Sequence, residues 1–228
     1  MRLDIKDSKR KAFQELYVSR IDPPDATTKI AFANCFVFIV QSFNWQLNYH
    51  LKSTLYSYGS LIPDLVIEGD WWRIISYAFL HIGKVHLLFN VVMLLVLGAL
   101  IEPILGKTRF YFGYLFCTLG TSAIATFISL NLAQGNLFYL GASGAIMGLF
   151  GILIIFTIDG LKRSRTNQLL FNFLITDLYA FVVLLTAQSL SDLYFDEVGI
   201  IGHLGGFFSG MLYATYLLKC DRKFRIVR

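Results

Sequence analysis

The run Gly141-Ala142-Ser143-Gly144-Ala145-Ile146-Met147-Gly148-Leu149-Phe150-Gly151 decides how this chain is read. It continues apolar to Ile158, so Ser143 stands at the head of a hydrophobic segment with a glycine on its C-terminal side and another two positions before it. Farther along, His203 heads a second apolar segment, again among glycines. A serine hydroxyl is a weak nucleophile unless a neighbouring base takes its proton. Neutral imidazole is such a base near physiological pH. The pair, placed at the mouths of two apolar segments, points to acyl chemistry inside a membrane.

Composition supports the membrane half of that reading. Of the 228 residues, 56% are hydrophobic and 15% charged, with mean hydropathy +0.59. Soluble domains carry about 25% charged residues. A spanning helix needs about 20 mostly apolar residues, and six segments qualify: 30–48, 86–105, 110–130, 143–158, 169–190 and 203–219. The expected fold class is an all-α membrane protein. Residues 1–29 read as a cytoplasmic tail, 30–219 as one six-helix membrane domain, and 220–228 as a second cytoplasmic tail. The tail's Arg2, Lys6, Lys9, Arg10 and Lys11 can rest on anionic lipid, although setting topology is the simpler role. The pI near 9.1 reflects the same bias and carries no signal for nucleic acid, because no soluble module presents a basic face.

Lys and Arg set the direction of the spans. Seven precede the first span, two lie between the second and third, three between the fourth and fifth, and five lie at or beyond the end of the sixth, counting its last residue Lys219, against only Lys52, Arg73 and Lys84 on the other side. Both termini are therefore expected in the cytoplasm. His86, Ser143 and His203 then each head a span that runs inward, and Asn90 lies one turn below His86. Four polar side chains distant in sequence share one depth. The fourth span, ending at Ile158, is expected to be short, at about 1.5 Å per residue. That sinks Ser143 below the outer surface and requires the irregular backbone before it to be buried in protein or to line a watery cavity.

An acyl-transfer site also needs donors for the developing oxyanion. Asn90 offers an amide, His86 a ring nitrogen, and the Ser143 backbone N–H lies at a helix N-terminus, where the macrodipole favours negative charge. Gly144, Gly148 and Gly151 on the fourth span face an expected match in Gly202, Gly206 and Gly210 on the sixth. Small-xxx-small ridges let membrane helices meet backbone to backbone. Each residue has a plainer role: a serine bonding its own helix, glycines that only pack, His81 at the interface, Asp177 hydrogen-bonded within the bundle. Cys35, Cys117 and Cys220, odd in number and without CxxC spacing, read as small buried hydrophobes rather than a disulfide or metal site.

Taken together, these motifs resemble the rhomboid family of intramembrane serine proteases. The resemblance runs over about residues 68–217. It rests on Gly69-Asp70-Trp71-Trp72-Arg73, His81-x4-His86-x3-Asn90, Glu102 with Gly106, Gly141-x-Ser143-Gly144, and His203-x2-Gly206-x3-Gly210. It implies a bundle of six helices, as in prokaryotic members, with a membrane-associated first outer loop, and location in a cytoplasmic (inner) membrane. It implies a Ser143–His203 dyad without an acidic third member, and an oxyanion hole of His86, Asn90 and the Ser143 amide. Trp72, Arg73, Glu102, Gly141, Gly144, Gly206 and Gly210 are implied to be structural. No metal and no cofactor are expected. The implied substrates are single-span membrane proteins, cut near the outer face. Two positions depart from the family pattern: Gly202 where many members have alanine, and Met147 where several have an aromatic residue. A catalytically silent relative that binds membrane helices, or a transporter, is the alternative. The retained serine and histidine, and the lack of corresponding broken spans in two halves, weigh against it. The sequence carries no signal for oligomeric state.

Overall fold

A computed structural model describes residues 24–47, 55, 57–132, 138–163, 179, 182, 186 and 199–220. Its helices are α1 (Asp25–Leu47), α2 (Pro63–Glu68), α3 (Arg73–Ser76, continued by a 3-10 turn Tyr77–Phe79), α4 (Lys84–Leu105), α5 (Lys107–Leu132), α6 (Ser143–Arg163) and α7 (Gly199–Cys220). Among the described residues the only β-pairing is an isolated antiparallel bridge, Leu61 to Tyr139. The protein is an all-α membrane bundle. Four of these helices, α1, α4, α5 and α6, are long and apolar enough to cross a bilayer. The expected fifth span, with Asp177, lies outside the described residues.

Several boundaries differ from the sequence reading. Helix α6 runs to Arg163 rather than Ile158. The helix has 21 residues, but its apolar span, Ser143–Gly160, is 18 residues and short beside those of α4 and α5: charged residues such as Asp159 and Lys162 end an apolar run without ending a helix. Helix α7 starts at Gly199, one turn before His203. His203 therefore sits inside the helix and not at its head. Helix α1 begins at Asp25, within the stretch read as tail.

The early start of α1 has a specific cause. Glu102, near the end of α4, is buried and accepts three hydrogen bonds from the first turn of α1. These come from the Ala26 N–H (2.9 Å), the Thr27 N–H (2.8 Å) and the Thr27 hydroxyl (2.7 Å). The first amides of a helix lack intrahelical partners and carry the positive end of its dipole. A carboxylate delivered from another helix satisfies them by charge-assisted bonds. Gly98 allows the approach, since a Cβ there would lie 2.2 Å from Thr27 Oγ1.

Helices α6 and α7 meet more closely than side chains would permit. A Cβ on Gly206 would lie 1.8 Å from the Gly144 carbonyl oxygen, and one on Gly210 would lie 1.8 Å from that of Gly148. A Cβ on Gly151 would come within 2.2 Å of the Phe207 carbonyl oxygen. Of the glycine ridges read from the sequence, Gly144, Gly148, Gly151, Gly206 and Gly210 thus interlock, whereas Gly202 faces Thr121 and Tyr139 instead of α6. Helix α5 covers the pair: Thr121 packs on Gly144, and Cys117 packs on Gly148. Leu94, Ile101, Leu105, Phe110, Leu149 and Ile152, all fully or nearly fully buried, fill the centre among α4, α5 and α6. Cys117 is buried as expected, but Cys220 is exposed at the end of α7. All three cysteines are free.

Candidate active site

The site is assembled from the loop between α1 and α4 inward. Arg73 is buried. Its Nε donates to Asp70 Oδ2 at 2.8 Å and its Nη1 to the Ser60 carbonyl at 3.0 Å, while its guanidinium lies 4.6 Å from the Trp72 ring centroid. Trp72 in turn covers Gly59, where the backbone is left-handed (φ 113°) and a Cβ would meet the indole at 2.2 Å. This closes the loop on itself. Trp71, Trp72, Ile67 and Ile75 remain exposed on its outer side, an apolar face suited to a membrane-associated loop.

The loop then holds the segment that carries the serine. Leu61 and Tyr139 exchange two backbone hydrogen bonds of 2.9 Å. The Tyr77 carbonyl accepts from the Gly141 N–H at 2.9 Å, and the Tyr77 hydroxyl donates to the Thr118 carbonyl of α5 at 2.9 Å. Tyr139 is further tied to Ser129 of α5, oxygen to oxygen at 2.7 Å. The Tyr139 peptide groups and the Gly141 N–H, in the irregular backbone before Ser143, thereby find partners within protein, as an apolar surrounding demands. Gly141 adopts φ +104°, a conformation that glycine enters without steric cost.

Ser143 is the first residue of α6, and its hydroxyl oxygen lies 2.8 Å from His203 Nε2 of α7. The two groups line one cleft, together with Tyr77, Thr121, Tyr139, Gly141 and Gly202. His203 is buried and Ser143 half-buried. Met147 is partly buried and packs against the central core. Gly202 has room for a methyl group: a Cβ would stand 3.4 Å from Thr121 Cγ2 and 3.9 Å from Tyr139 Cδ1.

His86 is buried on α4 behind Gly141. A Cβ on Gly141 would lie 2.9 Å from His86 Cε1 and 3.0 Å from its Nε2. Neither ring nitrogen of His86 has a hydrogen-bond partner, and a buried imidazole with an uncommitted N–H is a donor in search of an acceptor. Asn90 lies one turn beyond His86 on α4, as the sequence reading has it. One of its amide N–H groups donates to the His86 carbonyl, 2.9 Å away on its own helix, while its Oδ1 is unpartnered. His81 is fully buried in the loop before α4, edge-on to His86 with ring centroids 5.2 Å apart. Burial, and secondarily the neighbouring His86, pushes its imidazole down to about 3. No group of three or more His, Cys, Asp or Glu suited to a metal occurs among the described residues.

Sequence reasoning brought Ser143, His203, His86 and Gly141 to one place and missed those that hold them. Tyr77, Tyr139 and Thr121 carry no motif. Gln41, whose amide binds both backbone polar groups of His81, was visible only as a polar residue inside an apolar span.

The family model for the Rhomboid domain matches residues 68–220. RHOMBOID-like protein 5 of Arabidopsis thaliana is 33% identical over 165 residues, 72% of this chain and 50% of that protein. Rhomboid protease GluP of Bacillus subtilis is 31% identical over 167 residues, 72% of this chain and 29% of that protein. Putative rhomboid protease YdcA, also of Bacillus subtilis, is 32% identical over 163 residues, 70% of this chain and 74% of that protein. The match thus spans half or less of the first two relatives and about three quarters of the third. The relatives come from a plant as well as from bacteria, so kinship with them does not select a prokaryotic inner membrane. Because the matched region carries the glycine-locked helix pair, the buried-arginine loop and the paired serine and histidine, this integral membrane protein belongs to the rhomboid family.

Proposed function

We propose that this protein is an intramembrane serine endopeptidase with Ser143 as nucleophile and His203 as general base. The 2.8 Å contact between Ser143 Oγ and His203 Nε2, made across α6 and α7 inside a cleft, carries the reading. In this mechanism the hydroxyl proton passes to Nε2 as Oγ attacks the scissile carbonyl, and the imidazolium then protonates the leaving amine. The Ser143 N–H, at the first position of α6, meets the new oxyanion along the helix dipole. His86, with an uncommitted ring N–H, and the second amide N–H of Asn90 complete the donor set. Substrates are single-span membrane proteins, unwound at the cleaved bond and cut near the outer face, with both termini of the enzyme in the cytoplasm. The relatives named as rhomboid proteases support the reaction class.

The test is cleavage of a single-span substrate by purified full chain. Ser143→Ala and His203→Ala should each abolish cleavage while leaving thermal unfolding close to wild type. A fluorophosphonate should label Ser143 in the wild type and not in His203→Ala. Undiminished cleavage by Ser143→Ala protein would refute the proposal.

A further inference from the structure

Gln41 of α1 is buried 2% exposed, far along the chain from any residue of the dyad. Its amide Nε2 donates to the His81 carbonyl, and its Oε1 accepts from the His81 N–H at 3.2 Å. One side chain thus supplies both bonds that a paired strand would supply, and it fixes the peptide groups on either side of His81. The His81 ring is fixed as well, since its Nδ1–H donates to the Phe79 carbonyl at 3.3 Å. That ring stands at 67° to His86, edge to face at 5.2 Å. His86 has no hydrogen bond to orient it. Its ring is confined by the His81 ring on one side and by Gly141 on another. A donor held by contact alone keeps its aim only while the contacting surfaces stay put.

We infer that Gln41 is a positioning residue for the oxyanion donor His86, acting through the backbone and ring of His81. The inference rests on the function proposed above. It gives α1, which contributes nothing to the dyad, a part in the chemical step. It also gives His81 a role: a buried spacer whose edge sets the plane of His86.

A double-mutant cycle tests this. Cleavage of a single-span substrate and fluorophosphonate labelling of Ser143 are measured on the full chain in liposomes for wild type, Gln41→Met, His86→Ala and the double variant. Gln41→Met keeps the side-chain volume and removes both hydrogen bonds. It should lower kcat about tenfold, since a misaimed donor forfeits part of its stabilisation, with KM little changed and labelling slowed in parallel. In the His86→Ala background the same substitution should change kcat by less than about twofold, because coupled residues do not add. Equal losses in both backgrounds, or wild-type kcat in Gln41→Met, would overturn the inference. If Gln41→Met does not fold, Gln41→Glu, which keeps the acceptor and loses the donor, runs through the same cycle. A wild-type chain that neither cleaves nor labels would instead refute the hydrolase reading itself, and this inference with it.

Discussion

Gly206→Ala should separate the dyad without touching it. A Cβ at Gly206 would sit 1.8 Å from the Gly144 carbonyl oxygen and 2.7 Å from its carbon. These are backbone atoms one peptide from Ser143, so no side chain can yield. Ordinary Cβ contact begins near 3.4 Å, which leaves a deficit of about 1.6 Å to be met by helix separation. If half of that reaches the dyad, the 2.8 Å contact lengthens to about 3.6 Å, beyond hydrogen-bond range. A misplacement of about 1 Å at a reacting centre costs on the order of 100-fold in rate, and overpacking costs about 1–3 kcal/mol of stability. The loss is expected even though alanine is the better helix former by about 1 kcal/mol. Gly202→Ala, on the same helix, is the control. Its methyl would make only ordinary contacts at 3.4 and 3.9 Å, so activity should stay within about twofold of wild type, the propensity gain being the only other effect. The assay is kcat for a single-span substrate in liposomes, with thermal unfolding alongside. Wild-type kcat and stability in Gly206→Ala would refute the reasoning, as would equal damage from Gly202→Ala.

Three further outcomes are expected. Glu102→Ala strands the Ala26 and Thr27 amides and should destabilise the fold by about 2–4 kcal/mol, read as a lowered Tm with kcat per folded molecule unchanged; loss of kcat without loss of stability would contradict the capping role. Gly141→Ala forces φ +104° on a residue with a Cβ placed 2.9 Å from the His86 ring, and should abolish cleavage and lower stability by about 1–3 kcal/mol; an active variant would show that the Gly141–His86 contact is dispensable. Stability should fall with acidification. The folded His81 titrates near 3 against about 6.5 unfolded, so the unfolded chain binds the extra proton between those values. The contribution is therefore intact above pH 6.5 and is lost as pH falls below it, by up to about 1.4 kcal/mol per pH unit. Unfolding midpoints measured from pH 7.5 to 5 should decline less steeply in His81→Asn, and identical slopes would remove His81 as the cause.

The sequence reading reached the membrane class, the glycine-locked helix pair and the meeting of Ser143 with His203, because each leaves a local trace. Apolar runs reveal spans, and glycines spaced by four reveal a close helix contact. A histidine in such surroundings is too costly to be incidental. Helix ends were read less well. Charge marks the limit of the apolar core, whereas a helix continues until its backbone groups find other partners, and α6 accordingly runs through Asp159 to Arg163.

What the chain determined by itself is which polar residues its apolar helices carry, and which helices can approach closely enough to bring them together. What only the tertiary structure decided is their aim. The 2.8 Å contact of Ser143 and His203, the Tyr77 carbonyl on Gly141, the Glu102 cap on α1 and the Gln41 clamp on His81 all join residues remote in sequence. No periodicity or motif encodes such pairings, because each depends on where a distant backbone group happens to lack a partner once the helices have packed.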